Sequence, residues 1–260
     1  MSRLFLILAM SLSIPTFAQI ENVPLWDKLL YTSEKDTLPY RFLKPVNPKA
    51  KKLFPLIIFL HGAGERGSDN EVQIKHINEL VLDPDNRSRH SCYVLAPQCP
   101  EKMMWASHSR EGNRLVMKSK PTTPMSLLIE LIEKVEKEFP IDPDRIYVTG
   151  LSMGGYGTWD LIARFPDKFA AAIPICGGGD PQTAMRTKHI PQWAFHGALD
   201  EVVSPQNSRV MVKALQDAGA RPGYTEYPDV QHDSWVYAYR EPHLLPWLFD
   251  QHLGKKQGDK

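Results

Sequence analysis

The sequence predicts one doubly wound α/β domain, a mostly parallel sheet with helices on both faces. Three features predict it. Strand-like and helix-like stretches alternate along the chain, the pattern of repeated βαβ units. Leu56 to Leu60 (Leu-Ile-Ile-Phe-Leu) is a continuous apolar run, as a strand buried on both faces of a parallel sheet requires. Arg145–Thr149, Gly150–Gly155 and Tyr156–Phe165 read in turn as strand, tight turn and helix.

Taken in order, Met1 to Ala18 stands apart. Arg3 gives a minimal positive start, Leu4 to Ile14 a short apolar run, and Thr16-Phe17-Ala18 the small-x-small pattern of a cleaved signal peptide. The apolar run is too short to span a bilayer. Residues 19–260 are expected to form the single domain of an exported protein. Pro39 to Leu43 reads as the first strand, Leu56 to Leu60 as the second and Cys92 to Pro97 as the third. Gln98 to Thr123 is a long irregular stretch after a strand. It should hang over the carboxyl edge of the sheet, where such folds bind ligands. Leu127, Leu128, Leu131, Ile132, Val135 and Phe139 recur at helical spacing within Pro124–Phe139. Ala170–Ile175, Gln192–Phe195 and Gly223–Tyr227 read as further strands; Pro205–Ala218 and His243–His252 read as helices. Between Ser152 and Asp200 there is room for two strands and one short helix, and none for a cap domain.

The chemistry gathers at Gly150-Leu151-Ser152-Met153-Gly154-Gly155. In the strand–turn–helix context, G-x-S-x-G describes a nucleophile elbow, with the serine on a sharp, strained turn. Gly150 and Gly154 stand where side chains would collide across that turn, and Gly155 lets the helix start close to the strand. A serine nucleophile needs a base, and the base needs an orienting acid. In this kind of fold the order is serine, acid, histidine. Asp200 follows the strand-end sequence Phe195-His196-Gly197, and His232 lies in the loop after the last strand. Both fall on the same rim as Ser152. Asp180 competes as the acid, but it precedes Pro181 and reads equally well as a helix N-cap. His61 and His196 precede glycines at strand ends and are expected to bond backbone.

The Gly-rich turn His61-Gly62-Ala63-Gly64-Glu65-Arg66-Gly67 follows the strand Leu56–Leu60. A turn there can aim a backbone N–H at a developing oxyanion. Ala63 is the expected donor with Gly64 as the alternative, and Met153 N–H is the second. A phosphate loop would need a Lys after the last glycine, which Gly67-Ser68-Asp69 lacks. No cofactor is implied, and no His/Cys/Asp cluster has metal-ligand spacing in the sequence. The 31 basic and 30 acidic residues nearly cancel, so no nucleic-acid footprint exists. Cys92 and Cys99 end one predicted strand, roughly 23 Å apart at ~3.3 Å per residue, too far for a bridge. Cys99 with Cys176 is the remaining pairing, and free thiols are the preferred reading.

With these residues in view, the chain resembles the α/β-hydrolase fold. Within it, the chain is similar to exported bacterial esterases of the carboxylesterase, feruloyl-esterase-like and prolyl-oligopeptidase-like group. The resemblance is carried by His61–Gly67, Ala96-Pro97-Gln98-Cys99-Pro100, Gly150–Gly155, Cys176-Gly177-Gly178-Gly179-Asp180, His196–Asp200 and His232-Asp233-Ser234-Trp235. It implies a Ser–His–Asp acyl hydrolase with Ser152, Asp200 and His232 as the triad. A small-molecule or polysaccharide-linked ester is the expected substrate, with a serine peptidase or a non-catalytic binding protein as alternatives. Trp105, in the long stretch, is expected to roof the site and stack on an aromatic acyl group or sugar, with Met103 and Met104 as adaptable walls.

Overall fold

The computed structural model describes residues 25–46, 52–112 and 114–254. The expected signal peptide lies outside the described residues. Strands β1 (Trp26–Thr32) and β2 (Thr37–Leu43) form an antiparallel hairpin, followed by β3 (Phe54–Leu60). Short helices α1 (Asn78–Leu82) and α2 (Pro84–Arg89) lead into β4 (Tyr93–Pro97). A small separate hairpin, β5 (His108–Glu111) with β6 (Arg114–Met117), precedes helix α3 (Thr123–Glu138). Then come β7 (Ile141–Leu151), α4 (Met153–Arg164), β8 (Ala171–Ile175), α5 (Ala184–Thr187) and β9 (Trp193–Gly197). Helix α6 (Gln206–Asp217), β10 (Gly223–Tyr227), α7 (Trp235–Ala238) and α8 (Leu244–Phe249) complete the described chain.

The main sheet has the order β1-β2-β4-β3-β7-β8-β9-β10. It is parallel from β4 to β10, and antiparallel only where β2 meets β1 and β4. The doubly wound, mostly parallel reading therefore holds. All seven residues of β3 are buried, and its side chains alternate between two cores. Leu56, Ile58 and Leu60 join Leu128 and Leu131 of α3, Leu161 of α4 and Leu215 of α6 on one face. Ile57 and Phe59 join Leu80 of α1 and Leu244 and Leu248 of α8 on the other. Helices thus cover both faces, as a parallel sheet demands. Helix α3 starts on a Thr122 side-chain cap accepting from Met125 N–H, with Pro124 in its first turn. Cys92, Cys99 and Cys176 are all free.

Where the sequence reads one irregular stretch over Gln98–Thr123, the structure has a hairpin with fixed roots. Arg164 of α4 donates to the carbonyl oxygens of Lys118 (3.0 Å) and Ser119 (3.0 Å) just beyond β6. The same guanidinium grips Asp160 through Nε (2.6 Å) and Nη2 (3.1 Å). Asp160 also accepts from Ser107 N–H, before β5, at 3.4 Å. The pair is nearly dry, with side chains 7% and 4% exposed. Burial pushes the Asp160 carboxyl above its ordinary range, and Arg164 opposes that rise. Removing one partner of such a pair strands the other charge in the interior. Arg164→Ala should therefore lower unfolding stability by about 3 kcal/mol, read by urea denaturation. Adding Asp160→Asn to that variant should recover part of the loss; a loss no smaller in the double variant would contradict the stranded-charge account.

Candidate active site

Ser152 sits between β7 and α4 with φ 51° and ψ −116°, a conformation few L-residues adopt. Its neighbours explain how the strain is held. A Cβ on Gly154 would lie 1.9 Å from the Leu60 carbonyl oxygen, and one on Gly155 would lie 2.3 Å from that of Ile175. A Cβ on Gly150 would meet the Gly154 carbonyl oxygen at 2.4 Å. The helix start is thus packed backbone to backbone onto the ends of β3 and β8. Ser152 N–H adds a bond to Ile175 O at 3.0 Å.

His232, in the loop after β10, reaches Ser152 Oγ through Nε2 at 2.9 Å. Its Nδ1 lies 2.7 Å from Asp200 Oδ2. The carboxylate is held from its other side as well: Val202 N–H (2.9 Å) and Val203 N–H (2.8 Å) both donate to Oδ1. The Asp200 side chain has no exposure, while that of His232 is 21% exposed. This arrangement puts the ring proton on Nδ1, facing the acid, and leaves Nε2 free to accept from the serine hydroxyl. Trp235 stands edge-on to the His232 ring, centroids 5.3 Å apart. Asp180 lies elsewhere. It caps a short turn by accepting from Gln182 N–H (3.0 Å) and accepts from Met117 N–H of the hairpin (3.0 Å).

The Gly-rich turn after β3 lies beside the elbow. Ala63 opens a 3₁₀ turn, Ala63–Glu65, and Met153 is the first residue of α4. N–H groups at such starts have no partner within the helix. Buried His61 anchors the turn. Cys99 N–H donates to its Nε2 (2.9 Å), which assigns the ring proton to Nδ1, directed at the Gly62 carbonyl (2.6 Å). Buried Gln98 donates to Glu65 O (3.1 Å) and accepts from Asn70 N–H (2.7 Å). The Gln98-Cys99 pair after β4 therefore braces the turn after β3.

A family model described as phospholipase/carboxylesterase matches residues 43–240 of the chain. The chain belongs to that family. A solved structure described as a thermostable esterase superposes with a TM-score of 0.82 at 40% identity, covering 88% of this chain and 64% of that one. The bifunctional acetylxylan esterase/xylanase XynS20E of Neocallimastix patriciarum is 29% identical over 104 residues, which are 38% of this chain and 16% of that protein. This chain thus spans less than two thirds of either. A ferulic acid esterase shares the fold at a TM-score of 0.65 and 16% identity, covering 86% of this chain and 97% of that one. The architecture of this phospholipase/carboxylesterase family member is the α/β-hydrolase fold.

One expected site residue has moved. Trp105 is fully buried rather than a roof over the site. Its indole N–H donates to the His61 carbonyl at 3.2 Å, and its ring stands edge-on to His61 at 5.4 Å. An indole is too apolar to leave in water when a core slot with an acceptor is available. Gly157 of α4 supplies the slot, because a Cβ there would lie 2.6 Å from Trp105 Cβ. Trp105 supports the turn from below and cannot stack on a substrate. Met103 and Met104 stay 40% exposed, and Arg66 ties their loop to the turn through bonds to Ala63 O (2.9 Å) and Met103 O (3.4 Å). Sequence reasoning missed Tyr156, which stacks on His108 of the hairpin at 5.4 Å. It also missed a cluster that only folding creates: ligand atoms of Cys176, Asp200 and His232 lie within 4.8 Å of one another. Burial holds the Cys176 thiol well above its ordinary pKa, and the other two are committed to each other.

Burial lowers the His61 pKa from 6.5 to about 4. The unfolded chain binds this proton near pH 6.5 and the folded chain only near 4, so stability is full above that window and falls as pH drops through it. At ~1.4 kcal/mol per unit, the loss approaches roughly 3 kcal/mol. Urea unfolding at about pH 7 and about pH 4.5 should show the drop, and His61→Asn should flatten it. An equally steep profile in His61→Asn would refute the assignment.

Proposed function

We propose that the protein is a carboxylic ester hydrolase that works through an acyl-enzyme on Ser152. The observation that carries this reading is the pair of bonds made by His232, 2.9 Å to Ser152 and 2.7 Å to Asp200. In the proposed reaction His232 Nε2 takes the hydroxyl proton as Ser152 Oγ attacks the ester carbonyl. The N–H groups of Met153 and Ala63 receive the charge that develops on the carbonyl oxygen. Protonated His232 then passes its proton to the departing alkoxide, and the acyl group remains on Ser152. Water enters by the same route in reverse, with His232 again as base. Asp200 holds the ring in the right tautomer and stabilises its charged form.

Membership of a phospholipase/carboxylesterase family supports an ester rather than an amide. Short acyl and hydroxycinnamoyl esters, free or sugar-linked, are the proposed substrates. Two observations favour them over long-chain lipids. Only α4, β8, a 3₁₀ turn at Pro181–Thr183, α5 and β9 lie between Ser152 and Asp200, so no inserted cap builds a tunnel, and the similar proteins include a ferulic acid esterase and a bifunctional acetylxylan esterase/xylanase. Export through Met1–Ala18 is part of the same proposal. No helix among the described residues is long and apolar enough to cross a membrane.

An ester panel of acetyl, butyryl, long-chain and hydroxycinnamoyl members, each with a matched amide, tests the reading. Ser152→Ala should lose at least about four orders of magnitude in kcat and all labelling by a fluorophosphonate, with an unchanged fold by circular dichroism. Retained turnover in that variant would end the proposal, and amide hydrolysis at ester-like rates would replace esterase with peptidase.

Asp200→Asn should cost about 10⁴-fold in kcat by favouring the wrong His232 tautomer. Asp180→Asn, which keeps a capping oxygen, should change kcat little. The reverse ranking would move the acid to Asp180 and leave the reaction class intact.

A further inference from the structure

Between the hairpin and the start of α6 lies a cleft of about 570 Å³. The hairpin supplies Arg110, Arg114 and Leu115 to one wall, and Ser204, Gln206 and Asn207, at the start of α6, form the other. No acidic residue lines it. The two arginines are not equivalent. Arg114 is paired with Glu111 at 2.7 Å, while Arg110 is exposed and makes no ion pair or hydrogen bond among the described residues.

The cleft joins the reacting centre through two contacts. Its floor is where the hairpin and α6 meet: a Cβ on Gly178 would lie 2.7 Å from Asn207 Cβ and 3.2 Å from Leu115 Cδ1. Gly178 is two residues beyond Cys176, which clusters with Asp200 and His232. The second contact is Tyr156, in the first turn after Ser152. Its ring stacks on His108, two residues before Arg110 on the same strand.

Resting on the ester-hydrolase reading above, we propose that this cleft selects esters that carry a carboxylate. Arg110 receives it, while the polar wall of Ser204, Gln206 and Asn207 accommodates the group that bears it. A guanidinium binds a carboxylate through paired donors, with geometry as well as charge. The same chemistry serves a carboxylate on the acyl side, as in the half-ester of a dicarboxylic acid, or on the alcohol side, as in an acylated uronic acid.

Two matched pairs separate these sources. On the acyl side, 4-nitrophenyl hydrogen glutarate is compared with its methyl ester. On the alcohol side, 4-acetoxybenzoate is compared with methyl 4-acetoxybenzoate. The ratio of kcat/KM, charged over neutral and each corrected for its uncatalysed rate, should exceed about tenfold in one pair, the size of one charge-assisted hydrogen bond. The pair that shows it assigns the side. Arg110→Gln should collapse that ratio toward one, and Arg110→Lys should restore part of it. Turnover of all four esters with ratios near one, or a high ratio that Arg110→Gln does not move, would overturn the cleft's role and leave the esterase reading standing. No turnover of any of the four would bring down the esterase reading and this proposal with it.

Discussion

The arrangement of the site depends on a contact between main chains. Gly154 lets the first turn of α4 rest against the Leu60 carbonyl, and Gly155 lets it rest against that of Ile175. Leu60 ends β3 and Ile175 ends β8, the two strands that flank β7 in the sheet. The helix is therefore seated on both neighbours of the strand that delivers Ser152. The turn His61–Gly67 continues from one seat, and the Cys176–Asp180 segment continues from the other. A side chain at either glycine would lift α4 away and separate the serine from both. The strained φ of Ser152 follows from this seating, because the chain must reverse within one residue to enter so close a helix.

The histidines near this seat differ by what surrounds them. His61 is buried, held between Cys99 N–H and the Gly62 carbonyl, and kept neutral by desolvation. His196 is equally buried. It contacts Ser208 Oγ at 2.7 Å and the Val203 carbonyl at 2.9 Å, and desolvation lowers its pKa as well. Its Nε2 also lies 3.2 Å from Asp200 Oδ2, on the oxygen that His232 uses. The acid is thereby gripped by a buried ring, by two backbone amides and by one ring that still reaches solvent. Of the three, only His232 is part-exposed, and it alone bonds Ser152 Oγ. His61 and His196 are enclosed and hold neighbouring groups in place.

The parts of this design that were legible in the sequence are those whose burial is complete or cleanly one-sided. Strand β3 is apolar throughout because both faces are covered, and α3 shows its stripe because one face is not. Strand β10 was readable from Gly223 to Tyr227 between turn residues. Strand β1 was not: its outer position leaves alternate residues half-exposed, so Asp27 and Lys28 stand beside Leu29 and Leu30, and no period dominates. Helices α1 and α2 are too short to display one. The rim positions of Ser152, Asp200 and His232 followed from strand ends and chain order, which are properties of topology. Trp105 failed for a different reason. A tryptophan in a polar stretch looks available to a ligand, and only the three-dimensional slot at Gly157 shows that the ring has a better place to go.

That failure bears on how selectivity can be built in this fold. The stretch after β4 is buried at its start and exposed at the tip of its hairpin. Gln98, Cys99 and Trp105 are buried and bonded to the His61–Gly67 turn, so a change at any of them disturbs the turn beside Ser152. The hairpin beyond them is bonded at its roots, by Asp160 and Arg164 at one level and by Asp180 at Met117 N–H at another, and packs along its length through Leu115 and His108. Its far end, Arg110 and Glu111, is exposed. Residues there can change charge or size at the surface while the seat of α4, the buried carboxylate and the braced turn keep their geometry. The buried start of this loop and its exposed hairpin tip therefore differ in how far a substitution reaches into the Ser152 geometry.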